Sequence, residues 1–167
     1  SDGLFLDSVR TISKNFPEIS YKEELVDATA ANLIRNSDEY DVIVTTNMFG
    51  DILSDEAYEI SGSLGLAPGV NFGEKLIVAQ AQHGSAPDIA GKNIANPSSL
   101  ILSFSMMLSW IGRRQNNKKL IECSRLVEDS LDSILSDPNL RTKDLGGKLS
   151  TNEFTKNLIS VISNSMH

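Results

Sequence analysis

The sequence has little cysteine, little positive charge and no long hydrophobic run. Cys123 is the single cysteine among 167 residues, so no disulfide can form within the chain and a reducing compartment is indicated. The longest apolar stretch, residues 100–111, contains serines and is too short to span a bilayer. Only 15 Lys and Arg oppose 22 Asp and Glu, giving a net charge of −7. This balance argues against binding to nucleic acids or anionic membranes. We expect a cytoplasmic protein, or a mitochondrial matrix protein if the source is eukaryotic.

Helices separated by short strands are predicted along the chain, which indicates an α/β fold. Hydrophobic residues make up 40% of the sequence, enough for a sizeable core. The β-branched run 41–46 predicts a buried strand, and 76–79 predicts a second strand. Residues 47–50 are expected to turn the chain, and 62–73 to form a glycine-rich connection. Helices are predicted from the start of the chain to Pro17, then over about 23–35, 51–61, 97–111, 117–136 and from 151 onwards.

Three details refine the predicted helices. The helix over 97–111 is apolar nearly all round, which places it inside the protein. Ser150 and Glu153 have capping-box spacing before the last helix, whose inward stripe starts at Phe154 and Leu158. Cys123 lies within the apolar pattern of its helix, so we expect it in the core rather than as a nucleophile.

The segment 83–92, His-Gly-Ser-Ala-Pro-Asp-Ile-Ala-Gly-Lys, must be a loop. Gly84, Pro87 and Gly91 interrupt both helices and strands and let the backbone approach a ligand. The His83 ring offers a flat stacking surface, and the Asp88 carboxylate can accept a pair of hydroxyls. These groups suit an adenosine. By composition alone, a polar loop that caps the following helix is the simpler explanation.

Two carboxylates lie four residues apart, at Asp51 and Asp55, near the start of a predicted helix. This spacing places both on one face. Their hard oxygen ligands suit Mg²⁺ or Mn²⁺, which would remove the repulsion between them. The alternative is an acidic first turn that interacts favourably with the helix dipole.

Three segments together resemble the isocitrate/isopropylmalate dehydrogenase family, whose members oxidise and decarboxylate 2-hydroxy-3-carboxy acids. They are HGSAPDIAGKNIANP at 83–97, NMFGDILSD at 47–55 and TKDLGG at 142–147. The resemblance covers the C-terminal half of such an enzyme and implies half of its two-domain α/β fold, with strands and helices in layered sheets. Residues 1–61 would belong to the smaller central domain, and 62–167 to the larger nucleotide-binding domain.

The resemblance also implies ligand-binding residues. Asp27, Asp51 and Asp55 would bind the metal, with Asp27 reaching the site of a neighbouring subunit, so that a homodimer or higher oligomer shares its active sites. From its residues alone, Asp27 is equally a solvated side chain on a helix. Asp88 and Ile89 favour NAD, because a carboxylate repels the 2′-phosphate of NADP. Asn96 would meet the adenine edge, or simply cap a helix. The cofactor would contact His83, Gly84, Ser85, Ala86, Pro87, Asp88, Ile89 and Asn96.

The implied reaction is NAD- and metal-dependent oxidative decarboxylation, in which the cation acts as a Lewis acid on the new carbonyl. The family's catalytic Lys and Tyr lie upstream of the matching region, so no catalytic residue is assigned and the chain alone is expected to be inactive. The favoured substrate is isocitrate, a hydroxy tricarboxylate. This choice rests on residues 1–5, on Asn32 and on residues 142–147. Isopropylmalate, homoisocitrate or tartrate remain alternatives, as does a non-catalytic regulatory subunit. Residues 80–82, Gln-Ala-Gln, depart from the family's usual Glu-Pro-Val.

Overall fold

The computed structural model describes residues 2–165, which form two compact units. The first unit ends at Ile60, and the second begins at Ser61. The first contains the helices α1 (Asp2–Ser13), α2 (Val26–Arg35) and α3 (Asn47–Ile60). The second contains β1 (Pro68–Phe72), β2 (Ile77–Ala81), α4 (Ser98–Arg114), α5 (Lys118–Ser136) and α6 (Thr151–Ser165).

The first unit has a small core where α2 packs against α3. Leu33 of α2 and Leu53 of α3 are its buried apolar side chains. No described residue of α1 is buried. An ion pair holds α1 to the segment before α2, because Arg10 Nε donates to the carboxylate of Glu23 over 2.6 Å.

Two predictions for the first unit are wrong. Residues 41–46 form no strand, and Val42 and Val44 are 80% and 63% exposed. A strand needs a neighbour to satisfy its backbone groups, and none of the described residues pairs with this run. Residues 47–50 are not a turn, since the Gly50 N–H donates to the Thr46 carbonyl over 2.8 Å. The helix α3 therefore begins at Asn47, one turn before the predicted start.

In the second unit, β1 and β2 form an antiparallel hairpin that packs on α4. Pro68 pairs with Ala81 at one end, and Phe72 pairs with Ile77 at the other. The strand predicted over 76–79 is confirmed as β2, and each of its ends agrees within two residues. The strand β1 was missed, because Pro68, Gly69 and Gly73 favour a connection over a strand.

The buried side of α4 consists of small polar residues, contrary to the expectation of an apolar helix buried all round. Ser99 donates to the Ala67 carbonyl, and Ser103 donates to the Gln80 carbonyl over 2.8 Å. These hydroxyls let the helix approach the hairpin closely while satisfying backbone carbonyls of β2 and of the residue before β1. The large side chains of Leu100 and Phe104 are 55% and 47% exposed.

The main apolar core lies between α5 and α6 and contains Leu131, Ile134, Phe154 and Leu158. The predicted capping box is confirmed, because Glu153 N–H donates to Ser150 Oγ and Ser150 N–H donates to Glu153. Cys123 is exposed on α5, so its predicted burial is wrong. Its neighbour Ser124 faces α4 instead, since the Ser124 hydroxyl forms a hydrogen bond with Ser105 Oγ of α4 over 2.9 Å. No helix among residues 2–165 has the length and apolarity needed to cross a membrane.

Candidate functional site

The loop that carries the first motif leaves β2 after Ala81 and reaches α4 at Ser98. Its only regular piece is a short 3-10 turn over Pro87–Ile89. His83 and Asp88 are exposed, and the His83 ring contacts the Gly84 carbonyl over 2.9 Å. Gly91 has a φ of 73°, which favours glycine. The predicted loop is thus present and presents its polar groups to solvent.

Hydrogen bonds hold this loop at both ends. At the start, Gln82 N–H donates to Ser99 Oγ over 3.3 Å. Towards the end, the first residues of α6 donate to the loop. Thr151 N–H binds the Asn93 carbonyl over 3.0 Å, and Thr151 Oγ1 binds the Ala95 carbonyl over 2.6 Å. The loop therefore combines an exposed middle with fixed ends.

Asn96 is buried, at 7% exposure, and its side chain caps α4. Its Oδ1 accepts the Ser98 N–H over 3.0 Å. Its Nδ2 donates to Asp144 Oδ2 over 2.9 Å. The helix-capping role left open by the sequence is therefore present, whereas the contact of Asn96 with an adenine stays a prediction.

Asp144, in the third motif, collects donors from three separate segments. Ser63 Oγ donates over 2.8 Å, Asn96 Nδ2 over 2.9 Å and Thr142 Oγ1 over 2.6 Å. Partial burial by itself raises the pKa of Asp144, but the three hydrogen bonds outweigh it and hold the pKa below its usual value. The sequence predicted no role for Asp144, because two of its three partners, Ser63 and Asn96, lie far away along the chain.

The two carboxylates of α3, Asp51 and Asp55, are exposed one helical turn apart. Since α3 begins at Asn47, Asp51 lies in its second turn, where the helix dipole contributes less. Asp27 is exposed in the first turn of α2, and its carboxylate accepts the Ala28 N–H over 2.8 Å. Within residues 2–165, no three His, Cys, Asp or Glu side chains come together as a metal site. One copy of the chain does not join Asp27 to the α3 pair in such a site.

Glu24, just before α2, is a second polar hub that the sequence did not reveal. Its carboxylate accepts Tyr40 Oη over 2.6 Å and Asn32 Nδ2 over 3.0 Å, and it pairs with Lys22 over 2.9 Å. The hydrogen bond from Tyr40, followed by that from Lys22, lowers the pKa of Glu24 to about 2. The hub fixes the segment that leads into the helix of Asp27.

Comparisons with known proteins agree on one family. A family model described as isocitrate/isopropylmalate dehydrogenase matches residues 1–158. The 3-isopropylmalate dehydrogenase of Sulfurisphaera tokodaii is 43% identical over 99% of this chain and 48% of its own length. The isocitrate/homoisocitrate dehydrogenase of Thermus thermophilus is 44% identical over 97% of this chain and 46% of its own.

A solved structure shares the fold as well. The isocitrate dehydrogenase of Methylococcus capsulatus superposes with a TM-score of 0.88 and 37% identity, over 96% of this chain and 46% of that one. The mixed helix and strand architecture is thereby confirmed as part of this dehydrogenase fold. The chain spans about half the length of the curated relatives it matches. It belongs to the isocitrate/isopropylmalate dehydrogenase family, whose related members are decarboxylating dehydrogenases.

Proposed function

We propose that this chain is half of an NAD- and divalent-metal-dependent enzyme that oxidises and decarboxylates a 2-hydroxy-3-carboxy acid. The observation that carries the proposal is the loop 83–96, fixed at both ends and exposed in the middle. A fixed loop with exposed polar groups binds a ligand with little cost of ordering. By full-length enzyme we mean a polypeptide of the relatives' length that contains this chain.

The dinucleotide would lie on the loop. The His83 ring would stack on the base, and the Asp88 carboxylate would accept the ribose hydroxyls. Both side chains are exposed and so available. A second negative charge beside Asp88 is unfavourable, which supports NAD over NADP. When bound, NAD would accept the hydride, while the loop residues only bind and orient it.

The divalent cation would be held by Asp51 and Asp55, together with Asp27 of a second copy of the chain. The donor set fits Mg²⁺ or Mn²⁺, because carboxylate oxygens are the hard ligands that these ions prefer. The exposure of all three side chains in one copy is compatible with a site shared between subunits. The ion would supply Lewis acidity at the substrate oxygens. A homodimer or higher oligomer is therefore part of the proposal.

Isocitrate is the substrate we place first, on the segments 1–5 and 142–147 and on Asn32. The relatives carry the names of isopropylmalate, isocitrate and homoisocitrate dehydrogenases at similar identity, so the choice rests on those residues. The relative from Arabidopsis thaliana, 42% identical, is named as a catalytic subunit of the NAD-dependent mitochondrial isocitrate dehydrogenase.

The test is an assay of NADH formation by the full-length enzyme with Mn²⁺ and each of isocitrate, homoisocitrate, isopropylmalate and tartrate in turn. We expect turnover with isocitrate and its loss on removal of the metal by a chelator. In parallel, Asp51→Asn should weaken Mn²⁺ binding at least tenfold, since it removes a charged ligand and keeps the side-chain shape. Glu59→Gln, at the exposed end of the same helix, is the matched control.

The outcomes separate the alternatives. Turnover with a different acid of the series corrects the substrate and leaves the reaction class. Retained binding of Mn²⁺ and NAD without turnover of any of the four acids indicates a regulatory subunit. Unchanged Mn²⁺ affinity in a folded Asp51→Asn variant contradicts the metal site and returns the α3 carboxylates to a solvated helix surface.

A further inference from the structure

The third motif, residues 142–147, binds neither the dinucleotide nor the metal in the function proposed above. Its Asp144 nevertheless contacts residues that are remote in sequence and close to the loop 83–96. The carboxylate uses both oxygens. Oδ1 accepts Thr142 Oγ1 within the motif, and Oδ2 accepts both Ser63 Oγ and Asn96 Nδ2. One ionised side chain thus joins the segment before β1, the end of the loop and the segment before α6.

The amide of Asn96 can take only one orientation in this arrangement. Its Oδ1 receives the Ser98 N–H, and its Nδ2 donates to Asp144. The reversed amide would set an NH₂ group against the Ser98 N–H and an oxygen against a carboxylate. Both contacts are repulsive, and Asn96 is too buried for water to relieve them. Asp144 therefore selects the orientation that also caps α4.

The turn 63–65 packs closely against the hydrogen-bonded pair Asn96 and Asp144. A Cβ at Gly65 would lie 2.9 Å from Asp144 Oδ2 and 3.1 Å from Asn96 Nδ2. The turn 63–65 can approach the pair only because residue 65 is glycine. Ser63 Oγ completes this turn by accepting the Gly65 N–H over 3.0 Å. A closely packed cluster thus lies at the end of the loop 83–96, and it consists of Ser63, Gly65, Asn96, Thr142 and Asp144.

We propose that Asp144 is a positioning residue for dinucleotide binding, which fixes Asn96 and with it the end of the loop 83–96. The proposal rests on the function proposed above. Without Asp144 the end of the loop loses its anchor to residues 63–65 and 142–144, and binding must then order the loop. The affinity for NAD falls as a result. The kcat at saturating NAD and the affinity of the α3 carboxylates for metal stay unchanged. The reason is that the Asp144 carboxylate binds Ser63, Asn96 and Thr142.

The experiment uses the full-length enzyme with four variants: Asp144→Ala, Asn96→Asp, the exchange Asn96→Asp with Asp144→Asn, and the control Asp137→Asn. The exchange keeps one amide and one carboxylate face to face and lets the new carboxylate at 96 still accept the Ser98 N–H. Among the hydrogen bonds of the described residues, the Asp137 carboxylate binds only its neighbour Asn139. Measured are the KM and Kd for NAD, kcat, the Kd for Mn²⁺ and the midpoint of thermal unfolding.

We expect Asp144→Ala and Asn96→Asp each to raise the KM and Kd for NAD about tenfold. Asp144→Ala should leave kcat and the Mn²⁺ Kd within twofold of wild type. The exchange should recover most of the NAD affinity, and Asp137→Asn should leave it unchanged. Equal NAD affinity in wild type and Asp144→Ala overturns the proposal, and so does an exchange variant that folds without recovering affinity. If wild type binds NAD and Asp144→Ala binds it equally well, the role of Asp144 alone is refuted. If wild type binds no dinucleotide, the proposed function itself fails.

Discussion

Asp88 is the residue through which we expect the chain to choose its cofactor. It lies exposed in the 3-10 turn of the loop 83–96, where in the proposed function its charge would repel a 2′-phosphate and accept two hydroxyls. Replacing Asp88 and Ile89 by Lys and Tyr should lower the ratio of kcat/KM for NAD over NADP by at least tenfold. The physical reason is the reversal of charge beside the ribose. The comparison is made on the full-length enzyme with both cofactors, before and after the change.

A matched control keeps this result specific to the position. Lys92→Asp also reverses a charge of the same loop, four residues away. It should change the ratio of kcat/KM for NAD over NADP far less. A wild-type enzyme that already prefers NADP contradicts the placement of Asp88 at the ribose. The same holds if the double change leaves the ratio untouched.

Gly147 is the residue whose lack of a side chain matters most for the third motif. A Cβ at this position would overlap the carbonyl oxygen of Arg141, and backbone atoms cannot move aside cheaply. Gly147→Ala should therefore destabilise the protein by about 1–3 kcal/mol. Urea unfolding measures this change, with Gly73→Ala as the control, since a Cβ at Gly73 meets nothing within 4 Å. Equal stability of the two variants would contradict the close approach.

Single residues also show where sequence reasoning ends. Asn96 could be read as an adenine contact or a helix cap, and the structure shows the cap because Ser98 N–H reaches its oxygen. The role of Asp144 could not be read at all. Its partners Ser63 and Asn96 are remote in sequence, so only the fold brings them within hydrogen-bond distance.

Among the elements, the segment that leads into α2 is fixed by the hydrogen bonds of Glu24. Ionisation of this carboxyl makes the stability of the fold depend on pH. The pKa of Glu24 is lowered from 4.5 to about 2 in the folded chain by the hydrogen bond from Tyr40 and that from Lys22. A folded pKa below the unfolded one stabilises the fold above pH 4.5, and the gain disappears as the pH falls towards 2. Wild type should therefore exceed Glu24→Gln in thermal stability at about pH 6 and lose this advantage by about pH 2.

The pH series is measured as the difference in unfolding midpoint between wild type and Glu24→Gln, so that terms shared by both proteins cancel. Glu39→Gln, an exposed glutamate in the neighbouring turn, serves as the control. A difference in unfolding midpoint that stays constant across this pH range would contradict the prediction. It would show that ionisation of Glu24 does not stabilise the fold.

Elements whose signals are local were predictable, and those that depend on distant partners were not. The capping box of α6 rests on two residues three apart, and it formed as predicted. The run 41–46 has the composition of a strand, but strand formation depends on a neighbour, and the described residues provide none. In α4 the apolar composition hid the buried serines, because the hairpin that they contact was itself only half recognised.

At the scale of the whole molecule, the chain shows surfaces typical of a protein that packs against more polypeptide. Leu100 and Phe104 of α4 are about half exposed, and Val42 and Val44 are largely exposed. Burial of such side chains stabilises folds by about 1.5–3 kcal/mol each. The relatives are about twice as long as this chain. We infer that the other half of the relatives' length would cover part of these surfaces.

The isolated chain is expected to be inactive, since it spans about half the length of its relatives. The resemblance to the family places the catalytic Lys and Tyr outside the matching region, and no residue of this chain substitutes for them in our assignment. The purified chain of 167 residues should therefore form no NADH from isocitrate, NAD and Mn²⁺ above the rate without protein. The full-length enzyme, assayed at equal molar concentration, is the positive control. NADH formation by the isolated chain that disappears in its Asp51→Asn variant would contradict the prediction, because it would place a complete catalytic centre within these residues.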